Sequence, residues 1–314
     1  MKKKELPEEL KGTLQKAKKL EWVTIIYMST VVVLMYLVMG SSQAMKTAWL
    51  EDILSLIPTI AFLIAEKINT KGPNNTFPYG YHRVFSIAFL TGSLALFSMG
   101  LFLILDSSMS LLNMEHPTIG IMPLFGYDIW QGWVMIAVLI YSFIPAIYIG
   151  FKKLPLAKKL HNKILFTDSE AQKADYNTSF AAILGIIGIG YGLWWADAAA
   201  AIFISFSILK DGYDNLKTAV LDLMDRHPVH TENHKKDDLV LDIENFVKSW
   251  DWVKDARVRF REHGQVYFGE IAVVVHTNEN LAENIEQGIK SLTEFHWKIN
   301  DVTITPLPSL PKDY

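Results

Sequence analysis

The residues of this 314-residue chain with the most capacity for chemistry are acids set within long apolar stretches. At about 100° per residue, Asp168, Gln172, Asp175 and Ser179 fall on one helical stripe about 60° wide. An ionisable group inside hydrocarbon costs several kcal/mol unless it faces a partner or a wet cavity, which makes each such acid a functional candidate. Glu51 and Asp52 begin a second stripe, with Ser55 one turn and Pro58 two turns below Glu51. Pro58 frees a backbone carbonyl, for a kink or for a ligand. Taken singly, Glu51 and Asp52 read equally well as caps of a helix at the outer interface. Two acidic stripes on separate helices point to a shared cation site.

The elements that must carry these stripes follow from composition and charge placement. Half the residues are apolar and only 20% are charged, with mean hydropathy +0.19, as expected of a membrane protein with a soluble part. A net charge of −3 argues against a nucleic-acid partner, and the absence of cysteine excludes disulfides, thiolate metal sites and cysteine nucleophiles. The first residues lack the short apolar core and cleavage site of a secretory leader. Stretches 22–40, 48–65, 84–105 and 129–151 each suit a bilayer span, and 176–209 is a longer apolar tract whose only charge is Asp197. Lysine and arginine concentrate in 1–20, 66–83 and 152–163, while 106–128 has neither. The positive-inside rule then places both termini and the two basic loops in the cytoplasm. An even number of spans must separate Lys163 from Lys210, so the last tract has to supply two helices, the first beginning near Phe166 and the turn lying at 190–197. The expectation is an α-helical membrane protein of six transmembrane helices over 21–212, after a cytosolic segment 1–20 and before a connecting stretch 213–227. Such a chain fits a bacterial inner (plasma) membrane.

Residues 228–314 read as a small cytosolic domain. Helical spacing over 237–250, alternating strands over 253–261 and 266–276, a helix over 281–293 and a strand at 302–305 give the order αββαβ, a ferredoxin-like α+β arrangement. His227, His230, His234, His263 and His276 could ligate a metal, but the ordinary reading of each is a solvated loop histidine.

In this order and spacing the chain resembles the cation diffusion facilitator family. The matches are Pro78-Tyr-Gly80 with Arg83, Asp168-x6-Asp175-x2-Thr-Ser179, Ala196-Asp197, and Leu223-Met-Asp-Arg226. The resemblance implies a homodimeric antiporter, joined through its C-terminal domain, that exchanges a cytosolic divalent metal for protons. It also implies a site made of two residues four apart on helix two and a His-x3-Asp pair on helix five. Here these positions are Glu51 and Ser55, and Ala171 and Asp175, with Asp52 and Asp168 standing near enough to complete the set. The same match pairs Arg83 with an acid at the end of helix six, Asp225 or Asp222. Loop positions that bind a second metal in some relatives are Phe77 and Tyr81, so that loop site is absent.

Without imidazole or thiolate, Glu51, Asp52, Ser55, Asp168 and Asp175 form an oxygen-only set. It suits harder cations such as Mn²⁺ or Mg²⁺, with Fe²⁺ and Co²⁺ next, while carboxylates also bind Zn²⁺. The metal would be substrate, and no resident cofactor is expected. Burial favours the protonated carboxyl and a dication favours the ionised one, so metal and protons should displace each other. The alternative is a membrane sensor that binds a cation without moving it. An enzyme is not expected: an intramembrane protease would need a Gly-x-Gly-Asp or His-Glu-x2-His pattern, and neither occurs.

Overall fold

A computed structural model describes residues 6–124, 126–231 and 235–310. Six long helices come first: α1 Glu8–Val38, α2 Gln43–Asn69, α3 Val84–Leu112, α4 Gln131–Lys159, α5 Lys163–Gly190 and α6 Ala196–Leu223. The first four are long and apolar enough to cross a membrane. Between α3 and α4 lies a short antiparallel hairpin, β1 Ile121–Leu124 and β2 Tyr127–Trp130, whose last two residues fall in the stretch 129–151 expected as a span.

Helix ends follow local chemistry. Pro7 and the acids Glu8 and Glu9 favour the start of α1, where the helix dipole is positive. Asn162 caps α5 by accepting a hydrogen bond from the Leu165 amide at 2.9 Å. Two boundaries differ from the sequence expectation. α1 runs unbroken from Glu8, so residues 8–20 continue the helix of the first apolar stretch. α4 runs on to Lys159 through Pro155, so most of the basic stretch 152–163 is helix rather than loop.

Buried apolar side chains of the bundle form two clusters. One includes Val31, Met45, Leu139, Ile186 and Ile204; the other includes Ala17, Phe62, Leu160, Leu165 and Ala219. Along every helix a polar stretch lies between its members of the two clusters. These are Glu21, Thr24 and Tyr27 on α1, Asp52 to Thr59 on α2, Ser93 on α3, Ser142 and Lys153 on α4, Asp168, Gln172, Asp175 and Ser179 on α5, and Asp211 to Thr218 on α6. The bundle thus has a polar belt between two greasy ends. Polar groups at that depth must find partners within the protein.

The C-terminal domain contains α7 Leu239–Lys248, β3 Val253–His263, β4 Val266–Val275, α8 Leu281–Phe295 and β5 Ile299–Pro306. Its sheet order is β3-β4-β5, antiparallel in the first pair and parallel in the second. The parallel pair is bridged by α8, as a crossover requires. Ile243, Val247, Tyr267, Ile271, Leu292 and Ile299 form its core.

Candidate functional site

The N-terminus of α2 is capped by Ser42, whose hydroxyl accepts from the Met45 amide at 3.1 Å. Asp197 of α6 reaches across, accepting from the Ser42 hydroxyl at 2.7 Å and from the Gln43 and Ala44 amides. The cap positions are therefore filled, and Glu51 and Asp52 lie in the third turn of α2, inside the belt. The reading of these two acids as helix caps falls away.

A cavity of about 340 Å³ opens beside them. Glu51, Ser55 and Pro58 of α2 line one wall, Asp168, Ala171 and Asp175 of α5 a second, and Asp211 and Thr218 of α6 a third. Lys163 and Thr231 line its end nearest the C-terminal domain. Glu51 lies within electrostatic reach of Asp175, Asp52 and Asp211, and the nearby Thr178 hydroxyl donates to the Asp175 carbonyl at 3.0 Å. Asp175 is 9% exposed, and its Oδ2 is buried with no hydrogen-bond partner. Such an atom is an acceptor awaiting a proton or a cation.

The remaining sequence candidates are placed differently. Asp52 sits behind the cavity wall, where its Oδ2 accepts from Ser142 of α4 at 3.1 Å and Tyr27 stands near. The Ser55 hydroxyl donates to the Asp52 carbonyl at 2.8 Å, so its oxygen, which borders the cavity, remains available as an acceptor. Asp168 is gripped by the Lys153 ammonium and accepts from Gln172 Nε2 at 3.3 Å and Thr59 Oγ1 at 3.4 Å. Among the described residues no three carboxylate or imidazole side chains stand close enough to enclose one ion in this conformation.

Lys153 is a buried ion-pair residue that the sequence does not single out. It was counted as a cytosolic loop lysine, yet it is fully buried between Asp168 and Glu21, the latter 2.9 Å away. The available signal was depth: Glu21 directly precedes the first apolar stretch, and Lys153 is within three residues of the end of the fourth.

Below the cavity, polar contacts join the bundle to the C-terminal domain. Arg83 Nη2 donates to Asp225 Oδ1 at 2.6 Å and lies 2.9 Å from His263 Nε2. Lys163 donates to Asp222 of α6 at 2.7 Å and to Glu262 of β3 at 3.0 Å. Burial alone would raise the Glu262 carboxyl, but Lys163 and His161 beside it hold it down to about 2. His263, read from sequence as a solvated loop histidine, is buried; desolvation and the cations Arg83 and Arg261 lower it to about 4. Gly264 turns the β3–β4 hairpin at φ +68°, and a Cβ there would stand 2.5 Å from the His82 carbonyl, so only glycine lets the tip seat against the bundle. His276 ends the strand region, and His234 lies outside the described residues.

A multi-helix membrane bundle with an acid-lined cavity and an attached soluble domain defines a class of ion-handling membrane proteins. Residues 22–224 match the cation efflux transmembrane domain, which is more than half of the chain. This chain belongs to the cation efflux family, the cation diffusion facilitators: it is a multi-pass metal cation efflux transporter and not an enzyme. It is similar to the manganese efflux system protein MneS of Bacillus subtilis, 24% identical over 77% of each chain. It is also similar to the cation-efflux pump FieF of Salmonella arizonae, 26% identical over 79% of each. An uncharacterized transporter of Bacillus subtilis, YdbO, is 22% identical over 79% of this chain and 81% of its own length.

Proposed function

We propose that this transporter moves a hard divalent cation, Mn²⁺ foremost, out of the cytoplasm in exchange for protons at a site built on Glu51, Ser55 and Asp175. Asp52 stands behind that site as a reserve carboxylate, and Asp168 joins it when released from Lys153. The observation that carries the reading is the meeting of Glu51 and Asp175, from helices far apart in sequence, at one cavity with an unpartnered Asp175 oxygen. Oxygen ligands favour harder cations over Zn²⁺. The likeness to a relative named for manganese efflux supports the same preference.

Exchange follows from the carboxylates. A dication stabilises their ionised forms, and protonation removes the charge that holds the metal. Six spans are supported by the outward apolar faces of α5 and α6, where Phe180, Leu184, Phe203 and Phe206 are all more than half exposed, as lipid contacts would require. The lysine distribution supports cytoplasmic termini and a plasma-membrane location. In this reading the C-terminal domain makes the homodimer, and Arg83 with Asp225 ties that domain to the bundle.

The test is flux in proteoliposomes. Asp175→Asn should abolish Mn²⁺ uptake and the accompanying proton movement while the purified protein keeps its size-exclusion profile. Unimpaired transport by that variant removes Asp175 from the mechanism. Binding of Mn²⁺ by the native protein without any flux would instead favour a sensor, and strong preference for Zn²⁺ would overturn the assignment of the metal.

A further inference from the structure

We propose that Asp211 of α6 binds the transported cation directly, supplying the carboxylate that the α5 wall lacks at Ala171. This deepens the proposed function and rests on its reading of the cavity as the cation site. One turn before Asp175, the α5 wall presents only the methyl group of Ala171. Asp211 lines the same cavity from the opposite helix and lies within electrostatic reach of Glu51. Among the described residues, no hydrogen bond or ion pair occupies its carboxylate.

The placement is enforced by packing. Gly212 lies flat on α3, where a Cβ would meet the Phe97 backbone nitrogen at 2.5 Å. Gly100 of α3 reciprocates, where a Cβ would stand 2.6 Å from the Leu209 nitrogen. This close crossing fixes the rotation of α6. Ile208, Asp211, Asn215 and Thr218, spaced as one helical stripe, consequently face the cavity; Asp214 also lines it, but of the two acids Asp211 is the one within electrostatic reach of Glu51. Asp211 falls in the polar belt, between the Ile208 and Ala219 members of the two apolar clusters.

Two further observations call for such a donor. The buried Asp175 Oδ2 has no partner, so one oxygen of the site is already free for a cation. Octahedral cations such as Mn²⁺ take about six oxygens. Glu51, Asp175 and Ser55 supply fewer than that, even with both carboxylates bidentate. A carboxylate from a third helix closes the shortfall and brings the moving ion into contact with α2, α5 and α6 together.

The experiment measures Mn²⁺ binding by titration calorimetry and Mn²⁺ flux in proteoliposomes, on the full chain. Asp211→Asn is expected to raise both the dissociation constant and the half-saturating concentration by about tenfold or more, the loss of one close charge from a dication. Asp211→Glu should stay within about threefold of the native protein. Adding Ala171→His to Asp211→Asn should recover binding and tilt it toward Zn²⁺. The defect should persist at about 1 M KCl, where the Debye length is only about 3 Å and attraction through solvent is screened. An Asp211→Asn protein within about twofold of native overturns the inference, as does a defect that vanishes in high salt, which would mark Asp211 as a steering charge only. Asp175→Asn separates the two readings. If it loses transport while Asp211→Asn does not, this inference alone falls; if neither loses transport, the acidic site itself falls.

Discussion

Lys153 Nζ stands 2.9 Å from Glu21 Oε2, and neither side chain is reached by solvent. Asp168 closes on the same ammonium from α5, so one cation serves two carboxylates at the junction of α1, α4 and α5. Removing one member of a buried ion cluster strands the others without hydration, at a cost of about 3–5 kcal/mol. Lys153→Met should therefore lower the thermal unfolding midpoint of the detergent-purified protein sharply. Adding Glu21→Leu to it should recover part of the loss, because one stranded charge disappears. A Lys153→Met protein that melts like the native one would mean that these carboxylates are not held as ions.

At the start of α2, Asp197 does for that helix what a local side chain does for most helices. Its carboxylate takes the Ser42 hydroxyl and the Gln43 and Ala44 amides from a distance of more than 150 residues in sequence. Asp197→Ala leaves buried donors unpaired, which costs about 1–3 kcal/mol. Asp197→Asn keeps an acceptor oxygen and should cost less. Hydrogen exchange at the amides of residues 43 and 44 reports the effect directly: faster exchange in the alanine variant, and little change in the asparagine one, is the expected pattern.

The sequence made the outline of this architecture legible because each signal was local. Apolar run length gave the first four spans, and alternation at 253–261 and 266–276 the hairpin of the C-terminal domain. Asp175 and Glu51 stood out because an acid inside an apolar run has few ordinary explanations. What escaped depended on contacts between distant elements. Nothing near Lys153 reveals that Glu21 and Asp168 await it in space. Nothing near Asp211 shows that Gly212 and Gly100 turn it toward the cavity, and within its own stretch it is one charge among several. α2 starts five residues before the apolar stretch 48–65 for a related reason: its cap is completed by Asp197, so the acids of its third turn stand near the beginning of the apolar run.

The contact between the hairpin tip and the bundle should weaken with acid in two stages. Around His263 stand Arg83, Arg261, His82 and Asp225, and burial with the surrounding cations lowers the ring from 6.5 to about 4. The folded protein thus binds fewer protons than the unfolded one between those values, so this contribution is complete above about pH 6.5 and is lost as pH falls toward about 4. His161, lowered chiefly by burial, acts in the same direction. Glu262, lowered from 4.5 to about 2, contributes fully above about pH 4.5 and loses its share as pH falls through about 2. Hydrogen exchange of amides 262–266, corrected for the intrinsic pH dependence, should show protection falling from pH 7 to 4 and again below pH 4. His263→Gln should flatten part of the first stage and leave the second, since the Lys163–Glu262 contact is untouched. Protection that stays level from pH 7 to 4 in the native protein would show that the ring is not held neutral against Arg83.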